Sequence, residues 1–449
     1  MRPVTEGRLL LAVDLGTSHL KLAVYDLDLR IAHTSVRPTR TASGRREGEL
    51  DPQALWRAMG SQIVELGSRM DLQQIAAIGI TGMAESGCLI GRDSQPLTPM
   101  LMWHDRRGIR QAAALRRRAG DTFARITGLR MTSVRSIAKW KWLVESGAPR
   151  GARWCGGPEW LALCLTGEWQ TDSTLAARTG VFDVLKGEYS AALLRLAGAP
   201  KNLFPPAHSS PASVGTILPE IAQELRLSMS AQVVIAGHDD IASAFGAGGE
   251  MGDLVDSGGT AEGLIRIVAE RPIPAETVKA RLAMTRYYLP GMWALIAGAG
   301  STGALMQRVS EMLGQGEEML DKRASPPGDY PAGTIEVKLS KEGFPAAKIK
   351  PRAQRAQVWS AVLDLVCERV AQAASRLERL AGRPARMILI GGAARSRTLA
   401  ERKSRRLGLP VVVRADIDAG TRGAAALAGK AHGLLRAGPS TDTGGGAPA

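Results

Sequence analysis

The chain is poor in cysteine, histidine and aromatic residues: 449 residues hold four Cys, six His and only 4% Phe, Trp and Tyr. Cys88, Cys155, Cys164 and Cys367 show no CxxC and no Cys/His metal spacing. That excludes a disulfide scaffold and a cysteine-based metal site, and predicts reduced, mostly buried thiols in a cytoplasmic protein. Scarce aromatics leave few stacking platforms for bases. The net charge of +15 comes from scattered Lys and Arg, densest at Arg106-Arg107, Arg116 to Arg118 and Arg395 to Arg406. It speaks for attraction of anionic substrates rather than for nucleic-acid binding. No apolar run is long enough to cross a bilayer, so no membrane partner is expected, and MRPVTEGRLLL at the N-terminus lacks the apolar core of a signal peptide. No GxxxxGK[ST] loop occurs anywhere, which excludes a P-loop kinase.

What is present is a hydrophobic content of 45% on a chain too long for one core, so two domains of about 200 residues each are expected. The organising stretch is Leu9 to Tyr25, LLLAVDLGTSHLKLAVY. Two apolar, β-rich runs flank the polar turn Gly16-Thr17-Ser18, which predicts a hairpin. Gly16 lets the backbone approach a ligand closely. Thr17 and Ser18 add hydroxyls and N–H groups, and Lys21 follows on the second strand; together they suit phosphate oxygens. Asp14 would repel phosphate unless a cation lay between them, so its position implies Mg²⁺. A second copy of the pattern, Gly252 to Ile267 with the turn Ser257-Gly258-Gly259-Thr260, suggests a duplicated fold with a nucleotide between the halves.

Along the chain, Asp51-Pro52 opens an amphipathic helix, with Asp as N-cap and Pro in the first turn. Ile75 to Ile80 is a buried strand, and the polar loop Thr81 to Gly87 after it occupies the place where α/β folds bind ligands. Within it Glu85 is a candidate acceptor for substrate hydroxyls. Trp103, Asp105 and Arg107 end another apolar run; an aromatic face beside charged groups suits a polyhydroxylated ligand, while a core Trp and a surface Asp–Arg pair is the plainer reading. Residues 110–199 read as mostly helical, and 171–183 as a hydroxyl-rich loop near the cleft. Val233 to Gly237 predicts a short buried strand, and His238-Asp239-Asp240 a polar corner opening a helix. Phosphoryl transfer to an alcohol needs a fixed carboxylate to take the hydroxyl proton, a task that suits Asp239; His238 reads as its structural neighbour. The second half repeats the order of strands and helices. Residues 324–352 look irregular, 438–449 are expected to be disordered, and Gly423 allows close approach of the last helix. Gly298-Ala299-Gly300-Ser301-Thr302-Gly303 matches the dinucleotide fingerprint, but the surrounding hairpins are not βαβ units, which argues against hydride transfer.

These motifs resemble the FGGY carbohydrate kinases, the family of glycerol kinase, xylulokinase and gluconokinase, over nearly the whole chain. Asp14-x-Gly16-Thr17-Ser18-x-x-Lys21 is similar to the first phosphate motif, and Ser257 to Thr260 to the second. Ile78 to Thr81 with Glu85 resembles the substrate loop, Trp103-His104-Asp105-Arg106-Arg107 the W-x-D-x-R segment, and Gly237-His238-Asp239 the segment of the catalytic Asp. Leu165 to Glu168 with Thr171-Asp172 and Phe182-Asp183 is similar to the family's L-T-G-E…T-D…F-D run. Ala84 stands where the glycerol-kinase loop has Arg, and Ala84-Glu85 where the xylulokinase loop has Met-His; Val134 aligns near the glycerol-binding Tyr. The resemblance implies two duplicated actin-like (ribonuclease H-like) ATPase lobes of α/β class with a central cleft, at 1–248 for the sugar and 249–437 for the nucleotide. It implies Asp239 as catalytic base and as metal-side carboxylate with Asp14, and Glu85, Trp103, Asp105 and Asp239 as substrate-binding residues. Asp14, Gly16, Thr17, Ser18, Lys21, Gly259, Thr260, Gly298, Gly300, Gly303, Gly391, Gly392 and Ser396 would hold ATP, with Mg²⁺ on the phosphates. The expected activity is ATP-dependent phosphorylation of a small sugar or polyol. A catalytically weak sugar- or nucleotide-binding member with a sensing role is the alternative, and a homodimer is left open.

Overall fold

The computed structural model describes residues 8–39, 44, 46–209, 211, 213–339, 345–350 and 353–435. The expected tail at 438–449 lies outside the described residues. Two six-stranded sheets carry the fold. In the first, the strands Leu9–Leu15 and His19–Tyr25 form the antiparallel hairpin, Ile31–Pro38 extends it, and Ile75–Gly82 and Gln232–His238 lie parallel to Leu9–Leu15 on its other side. The second sheet repeats this order. Leu254–Gly258 and Glu262–Val268 form the hairpin, Trp293–Gly300 extends it, and Met387–Gly391 and Val411–Val413 run parallel to Leu254–Gly258. The central strands are nearly continuous apolar runs because both faces are covered, as parallel strands in α/β folds require.

One face of the first sheet packs on the helix Pro52–Gly67, capped as expected by Asp51 accepting from the N–H groups of Gln53 and Ala54, and on Gly157–Thr166. The other face shares a core with the second sheet. Leu10, Ala12, Ala77 and Val234 from one sheet and Val255, Ile265, Ile388 and Ile390 from the other enclose the helices Asp239–Gly246 and Ala419–Ala431. These two helices touch through backbone. A Cβ on Gly423 would overlap the Ala242 carbonyl, and one on Gly246 the Ala419 carbonyl. The alanine- and glycine-rich text of both helices follows from that spacing. The last helix also lies against the first sheet's strands, so the chain's end returns to its beginning: Tyr25 Oη and Thr421 Oγ1 are 2.7 Å apart, and Lys21 Nζ donates to Asp418 at 2.7 Å.

Two local expectations are corrected. The stretch 324–352 contains an antiparallel hairpin, Ile335–Leu339 with Pro345–Ile349, hidden in the sequence by its Lys, Pro and Gly. Within 171–183 the chain forms the one-turn helix Ser173–Ala176, because Asp172 accepts from the N–H groups of Thr174 and Leu175. The four cysteines are free thiols, three of them buried, as their spacing predicts. Among the described residues no helix is long and apolar enough to cross a membrane.

Candidate active site

Three parallel strands of the first sheet end side by side. Asp14 is paired in register with Thr81, Thr81 with Gly237, and Gly82 with His238, which brings the first phosphate turn, the Thr81–Gly87 loop and the His238-Asp239-Asp240 corner to one edge. Gly237 makes the corner possible. Its φ is +87°, and a Cβ there would overlap Thr174, Asp172 and Tyr288. Thr81 Oγ1 donates to Gly237 O at 2.7 Å, and the His238 N–H donates to Thr174 Oγ1 at 2.9 Å, so the backbone before Asp239 is clamped from two sides.

Asp239 opens its helix with 30% of its side chain exposed, and its Oδ1 lies 3.3 Å from His238 Nε2 and accepts the Asp240 N–H at 2.9 Å. Burial of the carboxyl, then the nearby charges of Asp240 and Asp14, push its pKa well above the ordinary carboxylate value, in the direction that makes a better proton acceptor. His238 is buried and its pKa is lowered by desolvation, so it is a neutral neighbour. Asp14 is buried beside Gly420 of the last helix, and its pKa is raised to about 6 by burial, with Lys21 opposing at 3.9 Å.

The first phosphate turn meets the second directly: Ser18 Oγ and Thr260 Oγ1 are 2.9 Å apart although 242 residues separate them. The Trp103 indole N–H donates to Thr17 Oγ1 at 2.8 Å, tying the aromatic candidate to the phosphate turn. Around Thr260 the expected glycines converge. Gly258 pairs with Gly391, Glu262 pairs with Gly300, and a Cβ on Gly303 would overlap the Gly259 carbonyl. Gly392 also lies beside Gly258. Gly298 sits farther along its strand, its carbonyl accepting from Arg376 at 3.0 Å. Ser396 spends its hydroxyl on the N–H of Leu399, capping the helix Arg397–Leu407. Trp293–Gly300 is antiparallel to both neighbours, so the Gly298–Gly303 fingerprint does not sit in a dinucleotide-type βαβ unit.

Glu85 has φ +62°, the left-handed region that costs a non-glycine residue about 1 kcal/mol or more. Lys139 holds it there: its Nζ donates to the carbonyls of Glu85 at 2.9 Å and Trp103 at 3.1 Å. The Glu85 carboxylate is paired with Arg135 and, at 3.0 Å, with Arg178. Asp105 is bound on both oxygens by Arg107, which also reaches Glu49 at 2.6 Å, so its carboxylate braces the Trp103 segment. Lys139, Arg135 and Arg178 are the residues that sequence reasoning missed; their partners lie 36–93 residues away, and a lone cation in a helical stretch gives no local sign of them. A second missed cluster lies under the Thr260 turn, where Lys403, fully buried, bonds Asp256 at 2.6 Å and Glu262.

The donors suit a hard divalent cation. Asp14 Oδ1 is buried and without a partner among the described residues, and His238, Asp239 and Asp240 offer ligand atoms within 4.8 Å of one another.

Residues 9–246 match the model for the N-terminal domain of the FGGY family of carbohydrate kinases. The chain is 27% identical over 243 residues to a xylulose kinase of Escherichia coli, an alignment spanning 53% of this chain and half of that protein. It is 27% identical over 459 residues to a glycerol kinase of Citrifermentans bemidjiense, covering 95% of this chain and 90% of that protein. Its fold is similar to a ligand-bound xylulose kinase of Lactobacillus acidophilus, with TM-score 0.83, 20% identity, and 95% and 90% of the two chains covered.

Proposed function

This chain belongs to the FGGY family of carbohydrate kinases, and we propose that it transfers the γ-phosphoryl group of ATP to a hydroxyl of a small sugar or polyol with Asp239 as general base. The observation that carries this reading is the shared edge, where Asp14, Thr81 and the His238-Asp239 corner end adjacent strands while Ser18 meets Thr260 from the other lobe.

The turns at Gly16-Thr17-Ser18 and Gly259-Thr260, with Lys21, Gly300, Gly303, Gly391 and Gly392, are read as the cradle of the triphosphate. Their N–H groups and hydroxyls replace lost water at small energetic cost because the turns are already formed. Asp14 and Asp239 would hold Mg²⁺, which would neutralise phosphate charge when bound. Glu85 and Trp103 are read as the sugar-binding wall, with Asp105 supporting it. The acceptor oxygen attacks the γ-phosphorus, its proton passes to the Asp239 carboxylate, and ADP leaves. Closure of the lobes around the turns excludes water as a competing acceptor. Buried thiols agree with a reducing, cytoplasmic setting. The test is ADP release from a panel of ketoses, polyols and sugar acids by the wild type and by Asp239→Asn, with loss of turnover but retained sugar binding expected for the variant. Turnover near wild type would refute the base assignment.

A further inference from the structure

Three basic side chains converge on Glu85. Arg135 and Arg178 both converge on Glu85 Oε1, and Lys139 sits directly behind on the Glu85 carbonyl. All are withdrawn from water: the side chains of Glu85, Arg135 and Arg178 are 7%, 9% and 14% exposed, and Lys139 is fully buried. One carboxylate is thus paired with two guanidinium groups. On the other side His238 Nε2 lies 3.3 Å from Asp239 and 3.9 Å from Asp240, whose side chains are 30% and 31% exposed.

Arg135 is well occupied, since its Nε also donates to the Arg130 carbonyl at 3.2 Å. Arg178 is not. Its Nε and Nη1 are buried and have no hydrogen-bond partner among the described residues. Leaving charged donors dry and unpaired costs more than leaving a neutral group so. Arg178 lies two residues after the one-turn helix Ser173–Ala176, whose Thr174 clamps the backbone before Asp239 by accepting from the His238 N–H. This one segment therefore reaches both Glu85, through Arg178, and the corner before Asp239, through Thr174.

We propose that the acceptor is a polyhydroxylated carboxylate, a sugar acid whose anionic group is received by the unpaired donors of Arg178 beside Glu85. This rests on the reading of the site as a kinase with Glu85 in the sugar-binding wall. A neutral polyol offers those donors only uncharged acceptors; a carboxylate supplies charged ones and fills them. The same chemistry would be supplied by a sugar already carrying phosphate, so the two sources are tested side by side.

The experiment measures kcat/KM for ADP release with matched pairs, glycerate against glycerol, erythronate against erythritol and gluconate against sorbitol, with glycerol 3-phosphate and glucose 6-phosphate as the phosphate arm. The expected result is a preference of about 10²-fold or more for at least one acid over its neutral partner, as for sites built around a specific polar group. In Arg178→Gln that ratio collapses toward one, and in Arg178→Lys it recovers in part. Binding of the same compounds to Asp239→Asn, read by calorimetry, separates the two proposals. Arg178-dependent binding of an acid with no turnover in the wild type upholds the acid site and refutes the kinase reading. Robust, Asp239-dependent turnover of neutral polyols at or above the acids upholds the kinase and overturns this inference. A phosphate ester favoured over every carboxylate, an acid preference unchanged in Arg178→Gln, or no binding of any acid overturns it as well.

Discussion

The buried triad beneath the second phosphate turn makes a quantitative prediction. Lys403 on the helix Arg397–Leu407 reaches Asp256 and Glu262, which flank the turn carrying Thr260, and all three side chains are at most 1% exposed. Asp256 Oδ1 and Glu262 Oε2 have no partner among the described residues. Burial, with Glu262 adding and Lys403 opposing, pushes Asp256 up to about 8, while its two carboxyl partners push Lys403 up against the pull of burial. At pH 7 Asp256 therefore keeps its proton while Lys403 stays charged. Because the folded pKa of Asp256 lies above the ordinary 3.8, its stabilising contribution is complete below the ordinary carboxylate range and is lost as pH rises through about 8. Lys403→Met removes the only cation of the triad and leaves two dry acids facing each other. Breaking such a cluster costs about 3–5 kcal/mol, or about 6–20 °C of melting temperature for a lobe of this size. Protons can replace the missing cation, so the deficit against wild type should be small at pH 6 and grow toward pH 9. Thermal melts at the two pH values measure it, and the KM for ATP should rise because the Thr260 turn loses its anchor. A variant that melts with the wild type at pH 9, or whose deficit ignores pH, would refute this account of the triad.

Two further predictions probe the frame of the site. Trp103→Phe removes the indole N–H that Thr17 accepts at 2.8 Å. With about 0.5–1.5 kcal/mol lost from the phosphate turn, the KM for ATP should rise about 2- to 10-fold at unchanged melting temperature; an unchanged KM would show that the turn needs no such support. Gly423→Val places a side chain on the Ala242 carbonyl, a backbone atom that cannot yield, so the helices Asp239–Gly246 and Ala419–Ala431 must separate. A melting-temperature loss of several degrees together with loss of turnover is expected, since one of those helices begins with Asp239; a wild-type melt would contradict the packing described.

The sequence made the two hairpin turns and the corner at Asp239 legible because each is a local event. A polar turn between two apolar runs, or an acid after a buried strand, announces its element within a dozen residues. Asp51-Pro52 opened its helix as read for the same reason. What was illegible is long-range. Nothing near Arg178 or Lys139 announces Glu85, which lies 93 and 54 residues away, and nothing near Lys403 announces Asp256. The Asp105–Arg107 pair was open to a local reading, but the second partner of that guanidinium, Glu49, lies 58 residues away and was not. Ser396 caps its helix by accepting from the Leu399 N–H, a task the sequence does not separate from that of a ligand hydroxyl because both suit the same residue type. The hairpin at Ile335–Leu339 and Pro345–Ile349 escaped because Lys, Pro and Gly diluted its alternation. The return of the last helix to the first sheet is set by glycine contacts that only the packed helices display.

The central claim is that Asp239 takes the acceptor proton at an edge shared with both phosphate turns. Its most direct test is the turnover of Asp239→Asn with a saturating acceptor and ATP, with acceptor binding measured on the same protein. A drop of about 10²–10⁴-fold in kcat with binding retained is the result expected of a lost general base. Undiminished kcat in a correctly folded variant would contradict the account.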